Sequence, residues 1–404
     1  MKFDIFCEIQ RAFPWRGGDE AGLFGEVLAQ ARACDEAGFE IWWQVEHHGA
    51  PEFSYSASPE MVLTAIAMAT QRLRVGHAGA LAPFRINHPL KVAERGATLD
   101  ILSGGRFEMG LAKSGGKEWE TFGVNPQTAR QEVREAMHMI PRMWTQDEFS
   151  WKSDLIEVPA REVVPRPLQR PHPRLWQTCG SPESFRMAGE MGVGALGTTL
   201  LSPVAFLGQM LNEYRAGLEA LTDQAGVEVN RQSGVFTFVH VAESREKAIL
   251  NGAAWSALWY VNAAPIVFKV PRAVWYDMIR AGLHPNSASA TAATDRDPTG
   301  LEIEPGDPAV VVLLKRMAKG ETIEFAEAHE VLERLDCVII GDPDHCREKV
   351  KGYEAIGADR LMCLMQFGSI PHREIIRSIE LTGEHLVKRC GTPEPAGVAS
   401  VAHG

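Results

Sequence analysis

The chain has 404 residues, 45% of them hydrophobic and 23% charged, with a formal net charge of −11. That length holds one large barrel or two ordinary domains, and the composition is that of a soluble globular protein with no apolar run long enough to span a bilayer. The acidic balance excludes a nucleic-acid surface built on clustered Lys and Arg.

The opening Met-Lys-Phe-Asp-Ile-Phe-Cys-Glu breaks its apolar residues with charge, so it reads as a first strand rather than a secretory segment. Short β-rich runs then recur at Phe3–Cys7, Ile41–Val45, Leu73–Ala80, Phe107–Ala112, Arg174–Thr178, Val193–Leu196, Gly234–Val241 and Leu361–Met365. Between most of them lies a stretch of helical period, as in Leu23–Ala37, Pro59–Thr70, Pro89–Leu102, Gln127–Trp144 and Pro343–Ile356. About eight such alternations favour a closed (β/α)8 TIM barrel with insertions over an open doubly wound sheet. Gly38 and Gly357 sit where helix C-termini want a left-handed residue, and Ser58-Pro59 and Ser181-Pro182 read as N-cap plus first-turn proline.

Two segments interrupt the alternation. Residues 149–173, with prolines 159, 165, 167 and 171, suit a β-hairpin or irregular insertion near the barrel rim. Residues 284–308 are small, polar and proline-rich, and Trp255, Trp259, Tyr260, Phe268, Trp275 and Tyr276 precede them, which suits either a surface excursion or a lid. The expected organisation is a single barrel over residues 1–390, with a variable insertion or lid at about 255–335, and a flexible tail over 391–404. Cys7, Cys34, Cys179, Cys337, Cys346, Cys363 and Cys390 are odd in number and form no C-x-x-C pair, so the expected compartment is a reducing cytoplasm.

Parallel barrels build their sites at the carboxyl ends of the strands. Several proposed strands end there in small or titratable residues: Glu46-His47-His48, His77-Ala78-Gly79, Ala112-Lys113-Ser114-Gly115, Cys179-Gly180-Ser181 and Gln366-Phe367-Gly368. Gly180-Ser181-Pro182 opening a helix fits a phosphate cradle or an ordinary N-cap, and Arg130 fits its counter-charge or a solvated surface residue. Glu46, His47, His48, His77 and His88 raise a metal-dependent hydrolase as an alternative, although no H-x-H or H-E-x-x-H spacing supports it. Neither a G-x-S-x-G elbow nor a nicotinamide-type G-x-G-x-x-G after a strand is present.

Four blocks together resemble the bacterial luciferase-like family of flavin-dependent monooxygenases. They are Glu46-His47-His48; Arg72-Leu73-Arg74-Val75-Gly76 with Pro83 and His88-Pro89; Ala93-Glu94 leading to Leu99-Asp100-Ile101-Leu102-Ser103-Gly104-Gly105-Arg106-Phe107; and Phe122-Gly123. Gly341-Asp342-Pro343 and residues 357–362 resemble the family's closing βα unit. The resemblance implies an enzyme that uses reduced FMN and O2 to put one oxygen atom into an apolar or aromatic substrate, by hydroxylation or Baeyer–Villiger insertion. It implies a separate NAD(P)H-dependent flavin reductase, a homodimer, and no metal.

Residue by residue, it implies His47 beside the reactive edge of the flavin. Ala78 and Gly79, a small pair often joined by a cis peptide, would buttress the ring with Ala112 nearby, and Arg130, Gly180, Ser181 and Ser184 would hold the phosphate. Bacterial luciferase has cysteine and arginine where this chain has Ala112 and Lys113, and an acidic residue in place of Gly180, so a non-luminescent member is expected. A deazaflavin-dependent oxidoreductase and a non-catalytic flavin-binding protein are the rivals within the resemblance.

Overall fold

The computed structural model describes residues 1–11, 18–282 and 299–388. The strands are β1 Lys2–Cys7, β2 Ile41–Gln44, β3 Arg74–His77, β4 Ala80–Leu81, β5 Phe107–Ala112, β6 Phe149–Lys152, β7 Glu157–Arg161, β8 Leu175–Thr178, β9 Gly194–Thr198, β10 Ser233–Val241, β11 Ile339–Gly341 and β12 Arg360–Leu364. Pairing runs β1-β2-β3-β5-β8-β9-β10-β12 and returns to β1, every step parallel, so these eight strands close a (β/α)8 barrel. The helices around it begin with α1 Asp19–Ala37, α2 Pro59–Ala69, α3 Pro89–Leu102, α4 Gly116–Phe122, α5 Ala129–Thr145, α6 Pro182–Glu190 and α7 Val204–Ala220. They continue with α8 Arg245–Leu250, α9 Ala253–Phe268, α10 Arg272–Arg280, α11 Ala309–Ala318, α12 Phe325–Leu332, α13 Pro343–Ala355 and α14 His372–Thr382.

Strands covered by helices outside and side chains inside need apolar residues on both faces, which is why Ile41-Trp42-Trp43-Gln44 is buried throughout. The amino-terminal end of the barrel is locked by charge. Arg360, wholly buried, meets both oxygens of Asp4 at 2.7 and 2.9 Å and Glu40 at 2.8 Å, while Trp43 Nε1 donates to Asp4 at 2.9 Å. Glu108 is likewise gripped by Arg74, Arg174 and Trp176. Both clusters sit opposite the rim that carries the site, at the face of a barrel that serves stability. The packed wall leaves no space for a side chain at Gly194, whose Cβ would meet the Trp176 ring at 2.2 Å.

The helix punctuation follows the expected signals. Gly38 and Gly357 adopt φ of 92° and 74°, and Ser181 forms a capping box with Ser184 at the start of α6. Residues 149–161 form the antiparallel hairpin β6-β7, but it lies along the outside of α5, where the Trp151 indole and the Ser153 hydroxyl donate to Glu135. The expected run Leu73–Ala80 divides into β3 and β4 around a cis peptide between Ala78 and Gly79. Strand β11, which pairs with the far half of β10, was not anticipated because it is only three residues long. Between β10 and β11 the chain forms the helices α8 to α12. Of the expected loop at 284–308, residues 284–298 lie outside the described residues, as does the tail 391–404. No described helix is long and apolar enough to cross a membrane.

Candidate active site

At the carboxyl end of the barrel a cavity of about 710 Å³ opens, within the size range of small-molecule and cofactor sites. His47, Ala78, Gly79, Ala112, Arg130, Gly180, Ser181 and Ser184 all line it, so five separate segments converge there, four of them at strand ends. Gln366 and Gly368 do not join them: the Gln366 amide exchanges hydrogen bonds with the Gln10 backbone, and the Gly368 N–H faces the Gln10 side chain. Of the aromatic residues before the expected loop, Tyr260 and Phe268 reach the cavity, whereas Trp275 and Tyr276 are core.

One end of the cavity is built for an anion. Lys113 follows β5 and Arg130 begins α5, and burial, with the nearby arginine adding to it, holds the lysine ammonium below its ordinary range. Thr178, Ser181 and Ser184 add hydroxyls beside the amino terminus of α6. That helix end is internally capped: Ser184 Oγ accepts the N–H groups of Gly180 and Ser181 at 3.1 and 3.0 Å, and Ser181 Oγ accepts the Ser184 N–H. Two cations, three hydroxyls and a positive helix end form a donor set suited to a phosphate monoester. Cys179, in the same wall, is an inert thiol, since burial pushes it up to about 12.

Three strands round the barrel lies a network of carboxylates and imidazoles. His47 Nδ1 is 3.0 Å from Glu118 Oε1 and its Nε2 is 3.5 Å from Glu8 Oε2. Glu118 also accepts the His48 backbone N–H at 2.9 Å and the Ser114 hydroxyl, which ties α4 down over the histidine pair. Burial opposes a charged imidazole, but Glu8 and Glu118 override it and push His47 up to about 9. An isolated imidazole would titrate near 6.5; here the two carboxylates keep the ring protonated at neutral pH. Burial raises Glu8 to about 7, His47 and the Tyr260 hydroxyl pulling the other way.

Glu46 and His48 play supporting parts. The Glu46 carboxylate accepts the Leu81 N–H at 2.7 Å and the Asn87 amide at 2.9 Å, and lies 3.0 Å from His48 Nε2, so it pins the β4 segment to the rim. Those bonds keep Glu46 ionised despite its burial. His77 points away, into the wall against Phe107, and burial holds it neutral. Among the described residues no group of three or more His, Cys, Asp or Glu side chains is placed to hold a metal ion.

Glu8 and Glu118 were not singled out in the sequence. Glu8 directly follows β1, so the strand-end rule applied to the first strand finds it; Glu118 lies on a short rim helix and carries no local signal. The remaining wall is apolar and aromatic, with Phe6 stacked on Phe236 at 4.1 Å and 8°, and Phe268, Val270, Leu200 and Met362 around them.

The fold and site define a TIM-barrel enzyme whose rim joins an anion-binding end to an aromatic chamber. The chain belongs to the luciferase-like monooxygenase family, whose pattern it matches over residues 1–360. It is similar to the oxygenase component of the flavin-dependent trigonelline monooxygenase of Acinetobacter baylyi, with 26% identity over 251 residues, 61% of this chain and 67% of the relative. A 25% match over 243 residues, 58% of this chain and 70% of the other, relates it to the F420-dependent glucose-6-phosphate dehydrogenase of Amycolatopsis mediterranei. Its fold matches the crystal structure of monooxygenase RslO1 from Streptomyces bottropensis at a TM-score of 0.73 and 21% identity, over 97% of this chain and all of that one.

Proposed function

We propose that the protein is the oxygenase of a two-component system, using reduced FMN and O2 to insert one oxygen atom into an apolar or aromatic substrate. When bound, reduced FMN supplies the two electrons that bring one atom of dioxygen into the substrate while the other leaves as water. The observation that carries this reading is the cavity itself, with Lys113, Arg130 and three hydroxyls at one side and His47 among carboxylates at the other. A phosphate-bearing flat cofactor fits that division.

Arg130, Lys113, Ser181 and Ser184 would hold the phosphate, with Gly180 giving backbone access. Ala78, Gly79 and Ala112 would let the flavin lie against the strand ends, since none carries a side chain beyond Cβ. His47, charged and aimed by Glu118, would donate a proton at Nε2, and Glu8, 3.5 Å from that atom, would receive or replenish it. The aromatic wall would exclude water from the reacting groups. The G-x-G-x-x-G run at Gly192–Gly197 leads from helix α6 into strand β9 and not from a strand into a helix, so it is no dinucleotide-binding turn, which supports delivery of reduced flavin by a separate NAD(P)H-dependent reductase. The helices between β10 and β11, which contribute Tyr260 and Phe268, would shape the substrate pocket and its cover.

An anaerobic titration with reduced FMN, riboflavin and reduced F420 tests the reading. Saturable binding of reduced FMN, with riboflavin at least tenfold weaker, is expected. Preference for F420 would move the protein to the hydride-transferring branch, and binding of none of the three would remove the flavin reading.

A further inference from the structure

We infer that the substrate is a ring compound bearing a cationic nitrogen, or an N–H or O–H donor, received by the Glu8 carboxylate at the aromatic side of the cavity. Only the word substrate rests on the proposed flavin chemistry; the ligand preference stands on the cavity alone.

Glu8 lines the cavity yet is only 2% exposed. Its Oε1 accepts the Tyr260 hydroxyl at 3.1 Å, while among the described residues Oε2 accepts no hydrogen bond, its nearest partner being His47 Nε2 at 3.5 Å. A buried acceptor left without a donor is costly, and a ligand that brings one recovers that cost. The neighbouring surface favours the same ligands. Phe6, Phe236 and Tyr260 line the same cavity as Glu8, Phe6 stacked on Phe236 and Tyr260 packed on the buried Phe53 with ring centroids 5.0 Å apart, so aromatic surface suited to a ring or a cation shares the chamber with the carboxylate.

The charge distribution points the same way. Glu8, Glu46 and Glu118 face two imidazoles, His47 and His48, whereas the cations Lys113 and Arg130 stand across the cavity. An anionic ligand is drawn to the far side and repelled here. A carboxylate-bearing ring is therefore disfavoured beside Glu8, and a simple hydrocarbon adds no hydrogen bond at Oε2, which is left with its 3.5 Å ion pair to His47.

The test uses four small probes, N-methylpyridinium, phenol, toluene and benzoate, with dissociation constants read by ligand-observed NMR on the protein with and without FMN. N-methylpyridinium, through attraction between its charge and the carboxylate, and phenol, through one hydrogen bond to a charged group, are expected to bind roughly tenfold tighter than toluene and benzoate. Glu8→Gln should erase the N-methylpyridinium advantage, and Tyr260→Phe, which leaves the carboxylate in place, should keep it. Should Glu8→Gln not fold, lowering the pH of the unaltered protein well below 7 neutralises Glu8 and should remove the same advantage. Equal affinities for all four probes, tightest binding of benzoate, or an unchanged order in Glu8→Gln would overturn the inference. A protein that keeps the order but does not bind FMN refutes the flavin reading and not this one.

Discussion

Glu118→Gln isolates what holds the proton on His47. The carboxylate accepts from His47 Nδ1 at 3.0 Å, from the His48 N–H at 2.9 Å and from Ser114, and glutamine keeps the shape while losing the charge. A hydrogen bond to a charged group contributes about 1.5–3 kcal/mol. At about 1.4 kcal/mol per pH unit, its loss should lower the His47 midpoint from about 9 by roughly one to two pH units. Glu8 remains at 3.5 Å, so the fall should stop short of the value of a buried unpaired imidazole. Histidine-selective NMR of the ring Cε1–H against pH measures it, with His47→Gln assigning the resonance. An unchanged midpoint in Glu118→Gln would show that this carboxylate does not set the protonation of His47, and the argument for a charged histidine would fail.

Arg360→Met strands Asp4 and Glu40 at the base of the barrel, and should cost about 3–5 kcal/mol in urea unfolding, part of it restored by Asp4→Asn. His47 and Glu8 are both raised, to about 9 and about 7, from ordinary values of 6.5 and 4.5. Their contribution to stability is thus complete below about 4.5 and is lost as pH rises through 7 and then 9, so urea midpoints of the unaltered protein should decline across that window more steeply than those of His47→Gln. Arg130→Met should weaken FMN binding roughly tenfold or more, one charge-assisted contact, while leaving riboflavin affinity unchanged by fluorescence titration.

The barrel was legible because a parallel sheet buried on both faces writes each strand as an apolar run, and Ile41-Trp42-Trp43-Gln44 or Phe107–Ala112 stand out as such. Strand β11 did not, since three residues give no period to read. The helices between β10 and β11 were hidden for a different reason: α9 is buried on nearly every side, so it shows an unbroken apolar composition and not a stripe. At the site, the strand ends announced His47, Ala78, Gly79 and Ser181 because barrel topology alone brings such ends together. Glu118 comes from a rim helix seventy-one residues further along the chain than His47, a contact that only the folded loop creates. The protonation of His47 was equally invisible, because it depends on Glu8 and Glu118 closing on the ring from two other elements.

The proposed function requires this cavity to bring reduced FMN, O2 and an organic substrate together. Its most direct test is to couple the protein to a flavin reductase under isotopically labelled dioxygen, with a panel of ring compounds, and weigh the products by mass spectrometry. The expected product is heavier by one labelled oxygen atom, formed only when the protein is present and greatly diminished in His47→Gln. Turnover under strict anaerobiosis, or a product oxygen drawn from water, would contradict it.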